Sequence, residues 1–279
     1  MRGAIIALLL LLCLQAALEC GYRMGRRSRR RDPSDAAQSG TLQGSILGLL
    51  ALLLGFSFAA ASSRFTARQE LVVQEANAIG TAFYRADLLP EPQRGTLREL
   101  LVEYTRARVA WYKEFDGRRA DAEARLSGAL HAQLWDTALR GLERTPQAAV
   151  LVLPALNAMY DVHSAHLAAV RRHLPGILLV VLGGCSLIGV ATVGYGCGLT
   201  SRRSPAFTVS LAVLVAAVLW LVIDLDYPRA GLVRVTQDPL LDALAAMEVS
   251  MGSPIPRTAP TAPLGEPGAG PGRPVDPHP

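Results

Sequence analysis

Four apolar stretches, Ala4–Leu18, Thr41–Ala61, Leu174–Leu199 and Ala206–Ile223, bracket one highly charged middle block. Crossing the hydrocarbon core of a bilayer as a helix takes about 20 apolar residues. The last three stretches approach or exceed that length and contain no Asp, Glu, Lys or Arg. A charge at the bilayer centre costs a few kcal/mol or more, so such clean runs read as membrane spans. The sequence therefore predicts an all-α membrane protein with four transmembrane helices and an inserted extramembrane helical bundle.

Charge sets the expected orientation. Arg23, Arg26, Arg27, Arg29, Arg30 and Arg31 follow the first stretch, and Arg202 and Arg203 separate the last two. Short arginine-rich loops stay on the cytoplasmic side. Both termini and the middle block are then expected outside. The net charge of +5 does not point to nucleic acid, because Met24–Asp35 carries no aromatic group among its arginines. Arg2 and the leucine run suit a signal peptide. However, the region after Leu14 is a poor cleavage site, Glu19 spoils a lipoprotein site at Cys20, and the arginines resist translocation. A retained anchor is expected.

The chain divides into a membrane anchor with a basic loop (1–40), a second span (41–61), an extramembrane helical domain (62–173), spans three and four (174–223), a short juxtamembrane helix (224–251) and a disordered Pro/Gly-rich tail (252–279). The second span carries no break signal before Tyr84, so its helix is predicted to project from the bilayer, with Leu71, Val72, Ala76, Ile79 and Phe83 at helical spacing. Pro90 and Pro92 end it. A second amphipathic helix presents Leu97, Leu100, Leu101, Tyr104, Ala107 and Trp111. A third carries Leu126, Leu130, Leu134, Ala138 and Leu142. Thr145-Pro146 opens a fourth, which runs through Pro154 toward Leu174. Four such helices suffice for a bundle. Its outer two are expected to be continuous with the second and third spans.

Several strings suggest chemistry and carry plainer readings. Thr192-Val193-Gly194-Tyr195-Gly196 spells a potassium-channel filter, whose carbonyls replace the ion's hydration shell. Here the string ends a full-length span beside the cytoplasmic arginines, with no pore helix before it. Close helix packing through Gly194 and Gly198 is the expectation. Asp161, His163, His166 and His173 lack metal-ligand spacing. Cys13, Cys20, Cys185 and Cys197 fit neither a zinc site nor a disulfide framework. No catalytic constellation or cofactor fingerprint is present, so no enzyme, cofactor or metal is expected. Asp224 and Asp226 leave the fourth span beside Arg64 and Arg68, where pairing or solvation is expected over ion binding. Lys113 is the sole lysine among many arginines, which suggests a GC-rich bacterial genome; for an α-helical multi-pass protein the expected location is then the bacterial inner membrane.

Leu54-Gly55-Phe56 with Arg64, Glu75-Ala76-Asn77-Ala78-Ile79-Gly80-Thr81-Ala82, Leu153-Pro154-Ala155-Leu156-Asn157-Ala158-Met159 and Asp224-Leu225-Asp226 with Pro228 and Gly231–Val235 occur in that order. Together they resemble the bacterial bestrophin-like domain family of unknown function, over about Ser45–Leu244. The more distant likeness is to bestrophins, pentameric anion channels whose pore-lining second helix carries a Gly-Phe step with an Arg nine residues after the Gly. Gly55, Phe56 and Arg64 keep that spacing. The resemblance implies a homo-oligomer in the lipid bilayer, a pore neck at Phe56 with Leu52 one turn earlier, and exit charges at Arg64, Asp224 and Asp226. It also implies that the second helix exits into the cytosol; the arginine bias, carried by this chain itself, points the other way and sets the expected orientation. The aromatic motif that follows the bestrophin Arg is reduced to Phe65. The alternative role is a non-conducting scaffold or sensor whose extracytoplasmic bundle binds a partner.

Overall fold

A computed structural model of the chain describes residues 2–29, 35–113, 120–200, 205–226 and 233–252. Arg30, Arg31, Pro33, Arg202, Arg203, the turn at Pro228–Gly231 and the tail from Ser253 lie outside the described residues. Eight α-helices are described: α1 (Arg2–Arg29), α2 (Asp35–Arg85), α3 (Gln93–Lys113), α4 (Ala120–Leu142), α5 (Ala149–Arg171), α6 (Gly176–Thr200), α7 (Pro205–Asp226) and α8 (Asp238–Gly252). There is no strand among the described residues. Four helical segments are long and apolar enough to cross a membrane, and each contains one of the four apolar stretches.

Two apolar cores divide the molecule. One gathers Leu14, Leu18, Leu50, Val190, Ala212 and Val222 from α1, α2, α6 and α7, the membrane unit. The other gathers Ile79, Phe83, Leu101, Leu134 and Met159 from the distal half of α2 with α3, α4 and α5. α8 closes this second core with Leu240 and Met247. Helix α2, 51 residues long, belongs to both cores and spans about 75 Å at 1.5 Å per residue.

The apolar faces of α3 and α4 fall where helical spacing puts them: Leu97, Leu101 and Tyr104 are buried on one, Leu130, Leu134 and Ala138 on the other. Three boundaries differ from expectation. α1 continues through the basic cluster to Arg29, and α2 begins at Asp35, inside the segment expected to be a basic loop. α5 and α6 are separate helices, not one continuous helix, because residues 172–175 are non-helical. Pro175 explains this break. It lacks an N–H, and its ring disfavours helical backbone at Leu174.

Glycines bring α1 and α6 into direct backbone contact. A Cβ on Gly21 would overlap the Ala191 carbonyl, and one on Gly25 the Tyr195 carbonyl. Gly194 and Gly198 meet Leu18 and Tyr22 of α1 in the same way. Lipid gives apolar side chains no hydrophobic reason to associate, so close backbone packing through small residues holds such pairs. The filter-like string is helical throughout, with Tyr195 donating its hydroxyl proton to Ser28 at 3.0 Å.

The two units are fastened at Arg68, which is 3% exposed. Its Nε donates to the Ala169 carbonyl (3.2 Å) and Nη2 to that of Arg172 (2.7 Å), both at the end of α5. Nη1 donates to the carbonyls of Leu225 (3.4 Å) and Asp226 (3.1 Å) at the end of α7. Carbonyls in a last helical turn have no partner within the helix, so one guanidinium caps both ends. The Asp226 carboxylate accepts the Leu174 N–H at 2.9 and 3.0 Å, and Asp224 accepts that of Val233 at 3.0 Å.

If α1 and α6 are locked through glycine, Gly198→Ala lowers the unfolding free energy in detergent by about 1–3 kcal/mol, the usual cost of overpacking. Gly183→Ala has open space for its methyl and is neutral or mildly stabilising, since Ala is the better helix former. Equal melting curves for the two variants would contradict the packing argument.

Candidate functional site

Among the described residues, α2 is the helix that carries an uncovered face through both units. Leu52 and Phe56 are 53% and 65% exposed in the membrane part. Counting in sevens from Phe56, Ser63, Glu70, Asn77 and Tyr84 are all exposed as well. A repeat of seven drifts about 20° per step on an α-helix, about 80° from Phe56 to Tyr84, so these residues form one slowly winding stripe. It is apolar inside the bilayer and mostly polar beyond it. Gly55 also has open space where a Cβ would stand. Ser57 and Ala61, on the opposite side, are buried.

The charges expected at the exit are distributed differently. Arg64 is half-buried and reaches back to the Ala60 carbonyl at 3.4 Å. Asp224 and Asp226 are 5% and 0% exposed, and their carboxylates are committed to backbone N–H groups. Arg68 meets the backbone carbonyl of Asp226 and lies inside the junction between the units. The structure thus brings Leu52 and Phe56 onto the α2 face and gathers Asp224, Asp226 and Arg68 behind it.

Behind the stripe, in the bundle core, lies a buried polar network centred on Glu75. Arg108 donates to its carboxylate through Nε at 2.5 Å and Nη2 at 3.2 Å, and both side chains are fully buried. His166 Nδ1 lies 3.1 Å from Glu75 Oε2, and His163 Nδ1 3.9 Å from Oε1. The Tyr104 hydroxyl lies 3.2 Å from His163 Nδ1. His131 packs edge-on against His163, with ring centroids 5.2 Å apart, and lies tilted over Tyr160 at 4.1 Å. The network ties α2, α3, α4 and α5 together. Among the described residues no group of His, Cys, Asp and Glu has the geometry to hold a metal, and His173 lies apart from the network, 3.6 Å from Asp226.

No sequence motif marks Glu75 as buried. The signal is its place on α2, on the same apolar face as Val72, Ala76 and Ile79. A carboxylate there must find a buried cation or several donors. Arg108 holds the matching position on α3, beside Leu101 and Tyr104.

His131 gives the network a pH dependence. Burial, reinforced by His163 and Arg108 and opposed by Glu75, pushes its imidazole down from 6.5 to about 4. Its Nε2 is buried with no hydrogen-bond partner, so the neutral ring is the form the core accepts. A depressed folded value leaves stability complete above pH 6.5, and it declines as the pH falls toward 4, by roughly 2–3 kcal/mol. His131→Phe keeps the stacking and removes the proton site, so its melting temperature declines less than that of the parent between pH 7 and 4. Parallel declines would contradict this.

The sequence pattern of the Bestrophin-like domain matches residues 10–240. No curated protein matches at a comparable level. Two variants of a bacterial bestrophin homolog from Klebsiella pneumoniae share the fold with TM-score 0.63 and 14% identity. The alignments cover 90% and 91% of this chain and 95% and 100% of theirs. A further structure of that homolog gives TM-score 0.60 at 15% identity, covering 88% and 95% of the two chains. At such identities the likeness is one of fold. The match along residues 10–240, borne by the two-unit helical architecture described above, shows that the chain belongs to the Bestrophin-like domain family of membrane proteins.

Proposed function

We propose that this protein is a homo-oligomeric ion channel of the bacterial inner membrane, with the α2 helices of several copies lining a central pore. The observation that carries the reading is the uncovered α2 stripe. Phe56 and Leu52 face away from their own chain, and the stripe then turns polar where the helix leaves the bilayer. Ser63 and Asn77 outside the bilayer suit a water-filled vestibule, and rings of Phe56 and Leu52 inside it form a hydrophobic constriction that gates by dewetting. Family membership supports the same reading. Around such an axis Tyr84 and Leu88, also exposed, meet neighbouring copies beyond the membrane.

The arginine bias places the bundle on the outer face of the membrane. In a background without the four native cysteines, a cysteine at position 118 is then labelled by an impermeant maleimide in intact spheroplasts. Labelling only after lysis reverses the orientation and leaves the pore reading intact.

Purified protein in planar bilayers is expected to conduct, and Phe56→Ala to raise the unitary conductance by widening the neck. Silence toward both anions and cations, together with a monomer in mild detergent, would instead favour a non-conducting scaffold or sensor that uses the bundle to bind a partner.

A further inference from the structure

Charge is sorted around α2 with a consistent sense. From Gly40 to Arg85 the helix carries five charged residues: Arg64, Arg68, Glu70, Glu75 and Arg85. Four of them are engaged. Arg68 is buried on carbonyls of α5 and α7. Glu75 is buried on Arg108. Arg85 donates to the Leu151 carbonyl at 2.8 Å, and Arg64 reaches its own helix at Ala60. Glu70 is the exception. It is exposed, and among the described residues no hydrogen bond or ion pair to its carboxylate is found.

Its position on the helix matters as much as its freedom. Glu70 lies fourteen residues beyond Phe56, two steps of the seven-residue stripe, hence about 20 Å further along the axis. Ser63 and Asn77 flank it on the stripe, and Thr66 and Gln74 are exposed beside it. All four are neutral. Arg64 sits about 100° round the helix from Ser63, off the stripe and toward the packed side. The face that carries the neck residues thus bears one kind of charge, and that charge is negative.

We infer that Glu70 is the residue that sets ion selectivity, forming a carboxylate ring in the vestibule that favours small monovalent cations over anions. The inference rests on the pore reading above. Each copy adds one carboxylate to the ring. Their fields add along the axis and concentrate cations before the apolar neck, while anions meet like-charge repulsion. Bestrophin anion channels set the opposite expectation, so the polarity of this chain's vestibule decides a question that fold likeness leaves open.

The test is the reversal potential of the full-length protein reconstituted in planar bilayers under a KCl gradient. The parent protein is expected to reverse toward the potassium equilibrium potential. Glu70→Gln lowers the potassium-to-chloride permeability ratio about fivefold to tenfold, Glu70→Lys carries the reversal potential toward chloride, and Glu70→Asp retains the parent behaviour. Glu103→Gln removes an exposed carboxylate from α3 and leaves the ratio unchanged. Raising the salt concentration weakens the parent's selectivity, because the ring is screened. Conduction that favours chloride, or a ratio that Glu70→Gln leaves unaltered, would overturn the inference and spare the channel. Silence of every variant would overturn both. An equal effect of Glu103→Gln would assign selectivity to diffuse surface charge and overturn the role of Glu70.

Discussion

The guanidinium of Arg68 joins the two halves of this molecule. Its hydrogen bonds reach the carbonyls of Ala169 and Arg172 on one side and of Leu225 and Asp226 on the other. Those groups end α5 and α7, and in an apolar setting each unpaired carbonyl costs free energy comparable to a lost hydrogen bond. Arginine suits the task because its planar fork presents five donors in fixed directions and keeps its charge. Asp226 completes the junction by holding the Leu174 N–H, which the following proline leaves outside any helix. The break between α5 and α6 and the exit of α7 are thereby satisfied at one place.

Above that junction the polar interior is organised around Glu75, below it around glycine. The contrast follows from the two solvents. In the bundle, water supplies a hydrophobic drive and the apolar core does most of the work. The Glu75–Arg108 pair there fixes which helices meet, at a desolvation cost that favourable geometry offsets. In the membrane unit that drive is absent between helices, so shape complementarity through Gly21, Gly25, Gly194 and Gly198 takes its place.

Much of this architecture is legible in the sequence, because apolar length and helical spacing are local signals. The four spans, the continuity of α2 and the buried faces of α3 and α4 follow from those two rules. The separation of α5 from α6 is also written locally, in Pro175 and the polar Arg171-Arg172-His173 before it, but the apolar runs further out on both sides mask it. The roles of Asp226 and Arg68 are not legible, since their partners are backbone groups more than fifty positions away, and that of Asp224 is hidden because its partner is the backbone N–H of Val233, an apolar residue beyond the turn. Exposure of Leu52 and Phe56 is equally hidden. Most residues of a membrane span are apolar on every face, so hydropathy alone gives little clue to which face its own chain covers. Glu70 and Glu75 differ by five positions and read alike. One is exposed and the other fully buried because they fall on opposite sides of α2.

The glycine contact between α1 and α6 also bears on how the chain is made. Ser28 and Tyr195, which hydrogen bond across that contact, are 167 positions apart. Within this chain α1 therefore waits for its α6 partner until the second span, the whole bundle and most of α6 have followed it. Until then its glycine seam faces lipid and whatever other membrane helices are nearby. Completion of the membrane unit is accordingly a late event in biogenesis, and α1 is the segment most in need of protection while it waits.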